Sequence, residues 1–221
     1  MDYLLELVAR FLAAVIVLTL HEFAHAFVAW KCGDPTAKFS GRMSLNPMRH
    51  FDPLGALCML IGGVGWARPV GINPRNYRNP KVGMAISAAA GPVSNFLLAW
   101  LSMILYKVVL YSGLAGRVSP LAMFLYDMVV MNLSLAVFNL IPVPPFDGSR
   151  IVLLFLPERL YFKAMRYERY IMLAVLALVF LGAFVLIIVI LTVCISCGIA
   201  WWILPGLWNC SGGNVARSID F

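Results

Sequence analysis

The chain has 221 residues, 62% of them hydrophobic and 12% charged, about half the charged share of a soluble domain. The apolar residues fall in long runs, and each bilayer crossing takes ~20 of them. About four crossings and their connections therefore use the whole length and exclude a separate folded soluble domain. Net charge is +7, from 17 Lys+Arg against 10 Asp+Glu. The basic residues lie between the apolar runs, where they set topology against anionic headgroups rather than bind nucleic acid.

In chain order, a first crossing is expected over about residues 3–30. Asp2 and Glu6 stand where a cleavable signal would be basic, so this helix is expected to be retained. Lys31-Cys32-Gly33-Asp34-Pro35 stops it. Residues 36–52 alternate polar and apolar around Gly41, Asn46 and Pro47, as a short β-hairpin or an irregular loop would. Residues 53–66 are apolar but short and glycine-rich, and fit a re-entrant or membrane-surface segment shielded by protein or water. The proline-punctuated, basic stretch 68–81 is a loop.

A second crossing is expected over 82–111. It opens on Ala88-Ala89-Ala90-Gly91-Pro92, small residues that let helices approach closely in lipid. A third covers 120–141 and ends in the proline-broken stretch Asn139 to Gly148. Residues 149–170 mix apolar residues with Arg150, Arg159, Lys163, Arg166 and Arg169, the pattern of an interfacial amphipathic helix. A fourth crossing starts at 171 and reaches about 192, although the apolar run continues to Leu204. Trp201, Trp202 and Trp208 mark an outer interface. The five cysteines show no disulfide spacing, and Cys194 and Cys197 are expected to serve as buried apolar thiols. The fold class is thus an all-α polytopic membrane protein, one membrane-embedded domain over 1–221. It has about four transmembrane helices plus a re-entrant or short β-hairpin segment after the first.

Lys and Arg also orient the chain. Residues 31–81 hold eight of them and residues 143–170 five, leaving Arg10, Lys107, Arg117 and Arg217. The positive-inside rule places both basic connections in the cytoplasm and both termini outside, in a multi-pass cell-membrane protein. The ends of the first and third crossings then share the cytoplasmic face.

At the end of the first crossing stands His21-Glu22-Phe23-Ala24-His25. On a helix, residues four apart lie on one face, so two imidazoles can grip one Zn²⁺ while the adjacent carboxylate takes a proton from the attacking water. The chain has three histidines, and two of them fall at this spacing. Three ionisable groups in five residues of a membrane span are costly and mark function. A catalytic zinc needs a third protein ligand and an open position. Asp147, His50, Asp52, Cys58 and Glu158 are candidates on the same face. Asp147 follows a broken helix end and precedes Gly148, which frees its backbone to turn the carboxylate inward.

Over nearly its whole length the chain resembles the site-2 protease family of intramembrane zinc metalloproteases. The resemblance rests on His21 to His25, Asn46-Pro47 through Asp52-Pro53-Leu54-Gly55, Gly65-Trp66-Ala67-Arg68-Pro69-Val70, Ala90-Gly91-Pro92 with Asn95, and Asn139 through Gly148. It implies a compact member without a PDZ or CBS domain, holding one Zn²⁺ on His21, His25 and Asp147. Glu22 would be the general base, and Asn139 would lie near the catalytic centre. It also implies hydrolysis of peptide bonds in or near transmembrane segments of protein substrates.

Asn95 either packs the second crossing by hydrogen bonding or, following the resemblance, contacts substrate. His50 is a candidate for a substrate gate or proton path, and Asp127 for a structural polar contact. An ion-conducting protein would spread its polar residues over several spans, whereas these concentrate at one end of two. A non-catalytic membrane scaffold would have no use for Glu22. Partners are a transmembrane protein substrate and the lipid bilayer, with no nucleic acid; oligomeric state is not legible.

Overall fold

The computed structural model describes residues 2–53, 67–112, 119–144 and 146–157, and ten single positions between 159 and 177. The expected re-entrant stretch, almost all of the fourth crossing, the Cys194/Cys197 pair and the tryptophans near 201 lie outside the described residues.

Helix α1 spans Asp2–Lys31. It closes on Gly33, whose φ of 108° suits a residue without Cβ. There the Asp34 amide donates to Ala29 O at 2.9 Å, the six-to-one bond of a Schellman end. The short helix α2 (Thr36–Phe39) follows. Helices α3 (Pro80–Tyr111) and α4 (Pro120–Asn139) start alike: a cap side chain, Asn79 or Ser119, accepts a first-turn amide, and proline occupies the position that needs no donor. The seven-residue α5 covers Asp147–Leu153.

Three of these helices contain stretches long and apolar enough to cross a membrane: Leu4–Lys31, Pro80–Tyr111 and Pro120–Asn139. No strand occurs among the described residues. The hairpin expected within 36–52 is replaced by α2, turns and a 3₁₀ turn at Pro47–Arg49. The physical reason is local. Gly41 takes a left-handed φ of 68°, and Asn46 Oδ1 accepts the Met48 amide at 3.0 Å, so side-chain capping displaces strand pairing.

Helix α3 packs against α1, α4 and α5, and α1 also packs against α4. Ala13, Val17 and Met128 form one apolar cluster between α1 and α4. Ala99, Val129 and Leu133 form another between α3 and α4. The polar groups go inward: Thr19, His21, His25, Ser87, Asn95, Ser102 and Asn132 are buried, while Leu7, Phe11, Leu97, Trp100 and Leu101 are exposed. That inversion suits a bundle whose solvent is lipid.

Below α1, the buried Asp34 clamps two loops. Its carboxylate accepts from the Thr36 amide (3.1 Å), the Thr36 hydroxyl, the Asn73 amide (2.7 Å) and Asn76 Nδ2 (2.6 Å). Burial alone would raise its pKa, but these bonds together outweigh it and hold the carboxyl below the usual carboxylate range. The clamp holds the 70–76 segment against the end of α1, and Val70 on that segment reaches the site.

Candidate metal centre

The α1 helix presents His21 and His25 on one buried face, with rings edge to face at 4.6 Å. Their Nε2 atoms lie 3.0 Å apart. Asp147 arrives from the start of α5. Gly148 makes this possible, because a Cβ there would sit 2.2 Å from Leu140 O at the broken end of α4. Asp147 Oδ2 lies 3.4 Å from His21 Nε2 and 3.2 Å from His25 Nε2. Among the described residues this is the one group of three ligand-type side chains whose atoms gather within 4.8 Å.

The donor set fits zinc. His25 Nδ1–H donates to Ser87 O at 2.8 Å. A carbonyl can only accept, so in the neutral ring the Nε2 lone pair faces the group. Asp147 Oδ2 is buried without a hydrogen-bond donor among the described residues. Lone pairs converging this way repel unless a cation lies among them. Tetrahedral zinc, with ligand bonds of ~2.0–2.1 Å, spaces its ligand atoms about 3.3–3.4 Å apart. The three separations here, 3.0, 3.2 and 3.4 Å, are of that size.

Glu22, half-buried between the histidines in sequence, is held from another direction. Its Oε2 accepts the Val70 amide at 3.0 Å. His50 lies elsewhere: its Nε2 donates to Ser44 O (2.8 Å) and its own carbonyl accepts the Arg68 amide (2.8 Å). It therefore joins the 44–50 loop to the segment carrying Val70. Asn139 turns its amide back on Leu135 O at 3.0 Å. Asp52 is not in the gathered group, and Cys58 and Glu158 lie outside the described residues.

Comparison with known proteins bears on this site. The sequence profile of Peptidase family M50 matches residues 109–182, which include Asp147. YwhC of Bacillus subtilis, named as a zinc metalloprotease, is 40% identical over 177 residues, covering 78% of this chain and 81% of the relative. The chain belongs to peptidase family M50, the site-2 proteases. Rip2 of Mycobacterium tuberculosis, also named as a zinc metalloprotease, is 30% identical over 146 residues, 61% of this chain and 52% of Rip2. The regulator of sigma-E protease RseP of Escherichia coli is 29% identical over 168 residues, 69% of this chain and 37% of RseP. The M50 chain thus spans about half of Rip2 and less of RseP. No solved structure matches it. With its apolar helices, this M50 peptidase is a multi-pass membrane protein.

Three contributors to the site had no role assigned from the sequence, although Val70 and Gly91 lie in stretches that carry the family resemblance. Ser87 acts through its backbone carbonyl and Val70 through its amide, so neither side chain announces a role. Gly91 read as one of several small packing residues. A Cβ on it would lie 2.4 Å from His25 Nε2 and 2.5 Å from His21 Cε1, so α3 touches the imidazoles there and nothing larger fits. Ser87, Gly91 and Asn95 recur at every fourth residue, one face of α3, and that spacing was the available signal. Tyr77 backs this face, 2.8 Å from Ser87 Oγ. Burial pushes its phenol up to about 12 despite that bond, so it remains protonated.

Proposed function

We propose that the chain hydrolyses peptide bonds in or beside membrane-spanning segments of protein substrates, as an intramembrane zinc endopeptidase in a single domain. The observation that carries this is the convergence of His21, His25 and Asp147 within a lipid-suited bundle. His21, His25 and Asp147 would hold one Zn²⁺. The ion, when bound, would supply Lewis acidity for an attacking water and a peptide carbonyl.

The remaining steps belong to Glu22. Its carboxylate accepts the proton of the attacking water and returns it to the leaving amine as the C–N bond breaks. The Val70 amide fixes one carboxylate oxygen and leaves the other for this transfer. His50 and Asn139 serve as supports around the substrate path, His50 by tying together the two loops beside Glu22. The lysines and arginines on residues 31–81 and 143–170 favour a cytoplasmic active site with both termini outside. The names of YwhC, Rip2 and RseP, all proteases, support proteolysis over an ion-conducting or scaffold role.

The test is zinc content and cleavage in detergent for the wild type and Glu22→Gln, with an unfolded and a transmembrane reporter. About one zinc per chain in both proteins, with cleavage by the wild type alone, is expected. A wild type that takes up no supplied zinc would sink the proposal. Zinc with no cleavage of any reporter would favour the scaffold.

A further inference from the structure

Asn95 lies on α3, two helical turns beyond Ser87, and is completely buried. Its Nδ2 is 3.2 Å from His21 Nδ1, and its Oδ1 is buried with no partner among the described residues. In this orientation the amide donates to Nδ1. The neutral ring would then carry its proton on Nε2, and the atom facing His25 and Asp147 could bind no metal. A half-turn about the last side-chain bond exchanges amide oxygen and nitrogen at almost no change in shape. The oxygen then accepts Nδ1–H, and the Nε2 lone pair joins the group.

We propose that Asn95 is the positioning residue of His21, its amide oxygen accepting the Nδ1–H so that Nε2 is presented to zinc. This rests on the zinc assignment above. It makes the two histidines equivalent in logic: His25 is set by the Ser87 carbonyl and His21 by the Asn95 amide, both from one face of α3. The helix that supplies no ligand thereby sets both tautomers, with Gly91 between the two acceptors giving the rings room. Metal-bound histidines usually donate their second N–H to an acceptor of this kind. A completely buried amide also has no surface to offer a substrate backbone, which favours this role for Asn95 over substrate contact. Asn132, equally buried, marks the contrast: its Nδ2 donates to Met128 O of its own helix at 2.7 Å.

The test is zinc affinity by chelator competition for the wild type, Asn95→Leu and Asn95→Asp in detergent. Asn95→Leu is expected to bind zinc ~10–100-fold more weakly. Asn95→Asp, which can only accept, is expected to bind at least as tightly as the wild type. Should Asn95→Leu keep full affinity, or Asn95→Asp lose as much as Asn95→Leu, the inference is overturned. A readout that needs no substitution covers variants that fail to fold. With three histidines in the chain, ¹⁵N-histidine spectra of the zinc-loaded wild type should give two rings bound through Nε2 and protonated on Nδ1. A ring bound through Nδ1, or only one ring with that signature, overturns it. A wild type that binds no zinc overturns the zinc assignment as well, whereas an unaffected Asn95→Leu beside a zinc-binding wild type overturns this inference alone.

Discussion

Helix α1 carries two polar groups, and they solve the problem of charge in a membrane bundle in opposite ways. Near its start, Arg10 meets Glu6 at 2.7 Å and Asp127 of α4 at 3.9 Å, with Arg10 and Glu6 side chains 53% and 40% exposed. Roughly 22 Å further along the axis, at 1.5 Å per residue, His21 and His25 are buried and meet Asp147. In the first group one guanidinium stands beside two carboxylates, so each charge has an opposite charge next to it. In the second, ligand-type atoms of three side chains converge, and the bond to Ser87 aims the His25 Nε2 lone pair among them. A polar cluster in lipid thus reads as structural when its charges close on themselves. It reads as functional when buried ligand-type atoms of several side chains converge on one point.

The sharpest way to break that comparison is to fill the space between α3 and the Nε2 edge of the imidazoles. In Gly91→Ala the new Cβ would meet His25 Nε2 at 2.4 Å and His21 Cε1 at 2.5 Å, well inside van der Waals contact. His25 is tied to Ser87 and His21 faces Asn95, so the rings can yield only by giving up their aim. We expect loss of stoichiometric zinc and of cleavage, read by metal analysis and a reporter assay. Full zinc in Gly91→Ala would mean that α3 does not template the site.

The same comparison explains what was legible in the sequence. His21 and His25 share one helical face with Glu22 beside it, and that spacing is the sequence signal of the site. Asp147 stood out because a proline-broken stretch and Gly148 free it from regular structure. The start of α4 at Pro120 was legible, whereas that of α3 was expected at 82 because Pro80 read as part of the preceding loop instead of a first-turn proline capped by Asn79. The second layer was not legible, because it depends on which face of α3 meets α1. Ser87 and Val70 contribute backbone atoms that every residue owns. Gly91 matters only because two rings lie against it. Of the two readings of 36–52, the irregular one fits and the hairpin does not, for a related reason: Asn46 and Gly41 fix turns by local bonds, and these outweigh a period-two pattern too short to pair.

A smaller effect is expected where a buried charge is fully matched outside the bundle. Asp34 Oδ2 accepts the Asn73 amide. In Asp34→Asn, either that bond is lost or an NH₂ faces an N–H, a cost of ~1–3 kcal/mol. The wild-type carboxyl has a lowered pKa, so its contribution has a definite sign with pH. It is fully present above the unfolded value of about 3.9 and is lost as pH falls through the lower folded value. Thermal unfolding from neutral pH downward should show the wild type above Asp34→Asn until pH drops below about 4, where the curves approach each other. A constant gap across that range would mean that the ionised carboxylate is not what clamps the loops.

The smallest effect belongs to the charge-paired cluster at the other end of α1. Arg10→Gln removes a half-exposed guanidinium whose best contact is a pair one helical turn away, and such pairs contribute ~0–1 kcal/mol. Asp127 loses only a partner at 3.9 Å. Among the described residues Arg10 pairs with Glu6 and Asp127 and not with the histidines or Asp147, so zinc affinity should be unchanged and cleavage should stay within about twofold. Should Arg10→Gln instead abolish cleavage while zinc remains, the two clusters are coupled through α1. The outer group would then belong to substrate entry or gating, and charge pairing would no longer separate structure from function in this bundle.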